Sequence, residues 1–359
     1  MALFWNDFTN FAGFKGMIIL SMRRAILVSM IFSGLVSCKN EIVVLAPYKN
    51  IPVVYCLLNP KDSVHYLRLE KSFLGEDNAY EMARNSDSIY YQSASVFLER
   101  WADGRMMEQF SLARVQIQER DSGNFSNNPN FLYQTSAPIL GSSEYHLKIN
   151  IPSISSEITA RTHTVSDFKV VKPEAFKKNL PFSSYDNYQA IEWISTPYTR
   201  LYHLIIRFHY LEVKNSDTTN LSLDWNIGQY LSKNGTGGEL MKTEILQRDF
   251  YKWLGNKLNK PAAGIQRLAD KKAVDFVFTV GGEELYTYME VYQEDSGILK
   301  EKPVFTNIVN GIGLFSSRYI QTVAGKSLSE HSIDSLAYGI YTKTLRFADS
   351  QNDYYYTGF

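Results

Sequence analysis

Alternation of apolar and polar residues is the commonest pattern along the chain from about residue 44 onward. In residues 144–151 every second side chain, beginning at Tyr145, is apolar, whereas His146, Lys148 and Asn150 are polar. A period of two is typical of a strand that buries one face. Asp103-Gly104 lies between two such runs and predicts a hairpin turn. Related runs predict strands at residues 53–58, 64–73, 94–101, 106–117 and 157–165.

The same pattern continues in the second half of the chain. Residues 203–213 alternate strongly, with Leu204, Ile206, Phe208 and Tyr210 on one face. Residues 273–280 and 284–291 flank a pair of glycines, which predicts a second hairpin.

One segment breaks the β pattern with helical spacing. Apolar residues recur there at intervals of three and four, and Pro261 follows them. This spacing predicts an amphipathic helix at about residues 240–258 that covers a sheet face or a barrel end. The stripe consists of Leu246, Phe250, Trp253, Leu254 and Leu258. A shorter helix is expected near residues 332–338.

These patterns predict a mainly β protein with two antiparallel β-sandwich-like domains, the second with one inserted amphipathic helix. We place the first domain at residues 38–171 and the second at residues 188–359. Residues 172–187 contain two prolines, mixed charges and Ser183-Ser184. This composition is typical of a linker between domains.

The N-terminal residues 1–37 contain a signal-peptide pattern. Arg23-Arg24 precedes the uncharged apolar run 25–36, which is too short to cross a bilayer as a stable helix. The run ends in LVSC (35–38), which resembles the bacterial lipobox. The resemblance implies cleavage before Cys38, lipidation of its thiol and anchoring to a lipid bilayer. Residues 1–21 fit a signal peptide poorly, so we expect Met17 or Met22 to be the initiator.

The other cysteine and the charge balance narrow the possible classes of protein. Once Cys38 is lipidated, Cys56 has no partner for an intramolecular disulfide, and its apolar surroundings predict a small buried side chain. The 37 basic residues equal the 37 acidic residues, so the chain has no electrostatic reason to bind nucleic acid. No cofactor is predicted.

Catalytic and metal-binding motifs are incomplete. His203 and His209 share one face of a predicted strand, but about 20 Å separates them, so they cannot chelate one ion together. SDFK (166–169) matches Ser-x-x-Lys but follows a strand and has no companion motifs. Residues 121–130 are expected to form a polar loop. We predict no catalytic residues and no metal site, and therefore a protein that is not an enzyme.

Two features leave alternatives open. Glu283-Glu284, with Glu290, Glu294 and Asp295 nearby, has the residue types for glycoside hydrolysis, although solvated strand ends explain them more simply. Gly311 and Gly313 indicate a bulge or a close approach of two backbones, and a phosphate-binding loop is the less favoured interpretation.

Four short strings together resemble a group of uncharacterised outer-membrane lipoproteins from Bacteroidota, classed as a domain of unknown function. They are PVVYCLLNP (52–60), FLG (73–75), ITART (158–162) and FTNIVNGIGLF (305–315). The resemblance implies β domains at the outer membrane and a gene often placed beside a TonB-dependent receptor. The family supplies no catalytic residues. After the cysteine the chain reads KNE (39–41), which leaves open whether it faces the periplasm or the cell surface.

The leading hypothesis is therefore a membrane-anchored, non-enzymatic accessory or binding component of an outer-membrane transport or surface assembly. Its partner would be a TonB-dependent receptor or another envelope protein. Two alternatives are a glycan-binding or glycan-processing surface protein and a structural adhesin or stalk subunit.

Overall fold

The computed structural model describes residues 50–72, 83–118, 129–182, 185–215, 217–292 and 304–355. These residues form a mainly β protein with large antiparallel sheets, as the alternating pattern predicts. Within the described ranges no helix has both the length and the apolar character needed to cross a membrane.

The first half of the chain forms each of the strands that its sequence pattern predicts. The Asp103-Gly104 turn connects two of them, and both of its residues have positive φ, 48° and 72°. One further strand, β5, is not marked by a clear alternating pattern. The elements are β1 (Pro52–Leu58), β2 (His65–Lys71), the short helix α1 (Ser86–Ile89), β3 (Ser95–Ala102), β4 (Arg105–Ile117), β5 (Asn130–Thr135), β6 (Glu144–Asn150) and β7 (Ile158–His163).

The long strand β4 makes this half sandwich-like, because it belongs to two sheets. Its first part pairs with β3, and its last part, from Ala113 onward, pairs with β5. A strand that changes sheets forms the corner of a sandwich. The inner faces of the two sheets meet in one core, which includes Val54, Cys56, Leu67, Leu98, Tyr145, Leu147 and Ile149.

The second half contains longer strands and most of the helical turns of the described residues. Its strands are β8 (Val170–Lys172), β9 (Asn179–Leu180), β10 (Tyr188–Ile194), β11 (Leu201–Lys214), β12 (Asp217–Leu231), β13 (Leu240–Leu246), β14 (Ile265–Gly281) and β15 (Ile312–Leu328). Its helices are α2 (Gln247–Lys257), α3 (Glu283–Tyr292) and α4 (Glu330–Tyr338), with 3₁₀ turns at Lys343–Leu345 and Asp353–Tyr355.

A second, strongly aromatic core lies between the sheet β12-β11-β14-β15, the smaller sheet β13-β10-β8 and the helices α2 and α4. Phe250 on α2 contacts Phe208 on β11, with ring centroids 5.3 Å apart. Trp193 on β10 contacts Phe278 on β14 at 5.4 Å. Helix α2 therefore covers a sheet face, as its apolar stripe predicts.

The start of one predicted element and the type of another are wrong. The amphipathic helix begins at Gln247 rather than near residue 240, because Leu240–Leu246 forms strand β13 along the whole of β10. Residues 284–291 are helical and not a hairpin strand. Glu283 and Glu284 occupy the first turn of α3, where the helix dipole favours acidic side chains. The expected helix near residues 332–338 is confirmed as α4, and Ser329 caps it.

Strand β15 connects the two halves. Its first residues pair in parallel with β1, and its later residues pair with β14, so one sheet runs through both halves. Within the expected linker, β9 pairs with β15, and Leu180 and Phe182 are buried in the second core. The division into domains at residues 38–171 and 188–359 stays a prediction.

The parallel pairing brings two backbones unusually close at Gly313. This glycine has φ of 123°, and a Cβ added there would lie 1.9 Å from the carbonyl oxygen of Val54. A side chain at this position would therefore separate β15 from β1. This is the close approach of backbones that the glycine pattern predicts.

We expect Gly313→Ala to lower the free energy of unfolding by more than about 3 kcal/mol, because it combines a backbone clash with positive φ. Urea denaturation measures this loss. The matched control is Gly104→Ala, where φ is 72° and no atom lies within 4 Å of the added Cβ. That control should lose only about 1–2 kcal/mol. Equal losses for the two variants would show that the close approach is not needed.

Candidate functional site

Three side chains form a row across the outer face of the first half. Trp101 on β3 lies opposite Glu144 on β6, and Glu144 lies opposite His163 on β7. Residues directly opposite each other on neighbouring strands share a face and lie within contact distance. Their neighbours Arg100 and Tyr145 face the other side, where Tyr145 is buried in the core.

The residue at each end of this row belongs to a parallel ring stack. The rings of Trp101 and His146 have centroids 4.6 Å apart and planes 17° apart. Those of His163 and Tyr198 lie 4.1 Å apart with planes 10° apart. Glu144 contacts the first stack, since its Oε1 lies 2.8 Å from His146 Nε2. We call Trp101, His146, Glu144, His163 and Tyr198 the ring strip.

Glu144 carries the negative charge of the ring strip. The hydrogen bond with His146, together with the nearby His163 and Arg161, holds the pKa of this carboxyl below its usual range, although partial burial opposes the shift. The carboxylate is therefore ionised at neutral pH. It offers hydrogen-bond acceptors between the two stacked pairs.

A buried carboxylate on the same face as the ring strip, opposite His146, holds the indole of Trp101. Glu99 is only 1% exposed and accepts hydrogen bonds from Trp101 Nε1 at 2.9 Å and Gln109 Nε2 at 3.0 Å. It also pairs with Lys148 Nζ at 2.9 Å. Burial alone would raise the pKa of Glu99, but the bonds from Lys148, Trp101 and Gln109 outweigh it and lower the pKa. Glu99 thereby fixes the position of the Trp101 ring.

The ring strip ends in a cleft of about 280 Å³, which lies between His163, Tyr198, Arg200 and the start of α3. Glu283 Oε2 lies 3.6 Å from Arg200 Nε. Glu284 Oε2 accepts hydrogen bonds from the hydroxyls of Thr162 at 3.1 Å and Ser316 at 3.3 Å. The cleft therefore contains charged groups that are already paired or hydrogen-bonded.

Tyr198 stands between the ring strip and the cleft in an unusual backbone conformation. Its φ is 61°, in the left-handed region that side chains disfavour. Its N–H donates to the carbonyl oxygen of Gly235 at 2.8 Å, which holds the loop in place. The ring is 42% exposed and lies against His163. The loop thus directs a large aromatic ring outward and not into the core.

A larger cavity of about 530 Å³ lies beside β11, β14 and β15. His209 Nε2 lies 3.0 Å from Asp275 Oδ2 at its wall. The buried Lys326 donates to the carbonyl oxygens of Glu174, Ala175 and Lys177. Burial lowers the pKa of Lys326, and the nearby Glu174 opposes that shift. Because the ammonium of Lys326 donates to these three backbone carbonyls, it stabilises the chain at residues 174–177.

The candidate residues from the sequence are dispersed. Cys38, Glu294, Asp295 and residues 121–128 lie outside the described residues. Glu283 and Glu284 line the cleft, but consecutive helical residues point about 100° apart. They therefore do not form the opposed pair of carboxylates that glycoside hydrolysis uses.

The other candidate residues from the sequence are buried or hydrogen-bonded within the fold. Cys56 is 4% exposed, and burial raises the pKa of its thiol to about 12, so it is a buried small side chain as predicted. His203 and His209 bond to different partners, Asn226 and Asp275. The hydroxyl of Ser166 is hydrogen-bonded to those of Ser142 and Thr196. In the described ranges no group of three or more His, Cys, Asp or Glu is placed to hold a metal ion.

The ring strip was not predicted from the sequence. Alternation places His146 on the polar face of its strand, which is correct, but it does not say which residues lie opposite. Trp101 and His163 come from strands more than 60 residues apart in the chain, and Tyr198 comes from a loop of the second half. The only local signal was Trp101, an aromatic residue on the outward face of strand β3.

Comparison with known proteins adds little to this geometry. No family model matches the chain, and no curated protein matches it. Among solved structures, trypsin-activated alpha-2-macroglobulin from Escherichia coli is similar over 66% of this chain and 19% of its own, with 9% sequence identity and a TM-score of 0.19. A likeness at this level carries no argument about fold or function.

We expect Glu99→Gln to lower the free energy of unfolding at pH 7 by about 1–3 kcal/mol, because it leaves the buried donors poorly matched. Since the folded pKa of Glu99 is lowered, its contribution is present above the unfolded value of about 4.3 and is lost as the pH falls. Urea denaturation at pH 7 and pH 3 measures both effects. Glu108→Gln, on the exposed side of the Arg100 pair, is the control and should cost under about 1 kcal/mol. If the difference in the free energy of unfolding between the wild type and Glu99→Gln is larger at pH 3 than at pH 7, the stabilising role of the ionised Glu99 is wrong.

Proposed function

We propose that this chain is an exported lipoprotein, held at the outer membrane by an acylated Cys38, and that it is a non-enzymatic binding or accessory component of a transport or surface assembly. The observation that carries the proposal is the order Arg23-Arg24, apolar run and LVSC (35–38). Several acyl chains on one residue give stable anchoring, whereas a single chain binds membranes only marginally.

The position of the first strand supports a short tether. β1 begins at Pro52 and lies inside the sheet, between β15 and β2. The chain from Cys38 to Pro52 can span at most about 50 Å when fully extended. An acylated Cys38 would therefore keep the folded residues close to the bilayer, within reach of another membrane protein.

The resemblance to Bacteroidota lipoproteins suggests the partner. Members of that group are often encoded beside TonB-dependent receptors, so we propose such a receptor, or another envelope protein, as the partner of this chain. The ring strip and the cleft support a binding role, because they present fixed aromatic and polar groups at the surface.

We expect Cys38→Ala to move the protein from the membrane fraction to the soluble fraction, because the variant lacks the thiol that receives lipid. Immunoblotting of fractionated cells measures the distribution. Cys56→Ala is the matched control, since it removes a buried thiol and should leave the protein in the membrane fraction. If Cys38→Ala stays in the membrane fraction at wild-type levels, the proposal that Cys38 carries the lipid anchor is wrong.

We expect a TonB-dependent receptor or another envelope protein to co-purify with the detergent-solubilised wild type. Quantitative mass spectrometry after chemical cross-linking in cells identifies the partner. The Cys38→Ala variant is the control. If the interaction needs both proteins at the membrane, at least about tenfold less of the partner should be recovered with this soluble variant. Recovery of the lipoprotein alone would count against an accessory role.

A second candidate function is glycan binding at the cell surface. It is favoured by one observation, the two parallel ring stacks on the outer face of a β-sandwich. Flat aromatic rings bind the C–H faces of sugars, and the paired charges beside them match sugar hydroxyls. A glycan-binding lipoprotein is also compatible with a partner that imports the bound glycan.

A further inference from the structure

We propose that the ring strip and the cleft together form one binding site for a neutral saccharide chain. This inference rests on the proposed role as a binding protein and names the class of ligand. It does not depend on lipidation. The site extends from Trp101, across Glu144 and His163, to Tyr198 and the cleft beside α3.

The aromatic rings suit the apolar face of a sugar. A pyranose ring has an apolar C–H face and a rim of hydroxyls, so it packs against an aromatic face while its hydroxyls stay hydrated or hydrogen-bonded. Trp and Tyr provide such faces at a low cost in conformational entropy. One face of the Tyr198 ring rests on His163, and the side chain is 42% exposed. Trp101 stacks on His146 in the same manner.

The spacing of the rings favours a chain over a single sugar. Trp101 is on β3 and His163 on β7, and only β6 lies between these strands. Two strand spacings amount to about 10 Å. A single sugar that stacks on Trp101 is too short to reach His163 as well, whereas an oligosaccharide that lies across the strands can contact both residues.

The charges point to a neutral ligand. Glu144 is hydrogen-bonded to His146, Glu283 lies beside Arg200, and Glu284 accepts from the hydroxyls of Thr162 and Ser316, so each carboxylate of the site already has a partner. An anionic or cationic ligand would have to compete with these pairs. Hydroxyl groups both donate and accept, so they can bond to the carboxylate and to the guanidinium without breaking either pair.

The side chains of the site are held in position before a ligand binds. Glu99 holds the Trp101 indole, and Thr162 with Ser316 holds the Glu284 carboxylate. The backbone of Tyr198 is kept at φ 61°, although its ring contributes no core packing. Side chains that are fixed before binding lose little entropy when a ligand arrives.

The test uses the purified full-length protein in detergent and a panel of soluble glycans. The neutral members are dextran, galactomannan, xyloglucan and mixed-linkage β-glucan, and the anionic members are polygalacturonate and heparin. Isothermal titration calorimetry measures affinity. We expect at least one neutral glycan to bind, and Tyr198→Ala and Trp101→Ala each to weaken it about three- to tenfold.

Two further variants separate ring loss from misfolding. Tyr198→Phe keeps the ring and should bind nearly as well as the wild type. Tyr188→Ala removes an exposed tyrosine of β10, outside the ring strip and the cleft, and should bind normally. Each variant is first required to match the wild type in its circular dichroism spectrum and to remain folded at the temperature of the titration.

The salt dependence tests the charge of the ligand. Affinity for a neutral glycan should change less than about twofold between low and high salt, because screening acts on charged pairs. Binding of anionic glycans alone, with strong salt dependence, would overturn the proposal. So would an absence of binding, or equal binding by Tyr198→Ala and the wild type. Because fractionation tests the anchor separately, either proposal can fail while the other holds.

Discussion

The contact between Gly313 and the carbonyl oxygen of Val54 is the constraint on which the described structure depends. Without a side chain at Gly313, β15 can lie against β1 in parallel, and its later residues can still pair with β14. One strand thus contributes Phe315 to the first core and Tyr319 and Val323 to the second. Two sandwich-like halves, each with its own apolar core, are thereby joined in one continuous sheet.

The candidate site depends on the same strand. Ser316 of β15 donates to Glu284 of α3, and Ser317 bonds both Leu58 of β1 and the backbone of Val165 just beyond β7. These hydrogen bonds hold the start of α3 near the end of β7. The cleft consequently combines His163 from the first half with Tyr198 and Arg200 from the second. Neither half alone contains the whole set of groups.

The proposed tether and the proposed saccharide site would act together. Anchoring a weak binding site beside a membrane partner raises the effective concentration of its ligand there, with no new contact needed. Stacking on two rings and a few hydrogen bonds would give modest affinity, and a weakly held ligand could be released to the proposed partner. The paired charges of the site would then select neutral chains without holding them tightly.

The sequence alone determined the local features. Alternation placed Tyr145 and Leu147 inward and His146 outward, because neighbouring residues in a strand point to opposite faces. The Asp-Gly pair predicted the turn at Asp103-Gly104, and the glycine pattern predicted the close approach at Gly313. The role of Cys38 as a lipid anchor stays a prediction. Residues 240–246 were wrongly predicted as helix, because they pair with β10 as a strand. Residues 284–291 were wrongly predicted as a strand, because they form helix α3, whose first turn the acidic side chains favour. Only the tertiary structure brought Trp101, Glu144, His163 and Tyr198 together, since the register between distant strands depends on core packing and on the β1–β15 pairing, which joins residues more than 250 positions apart.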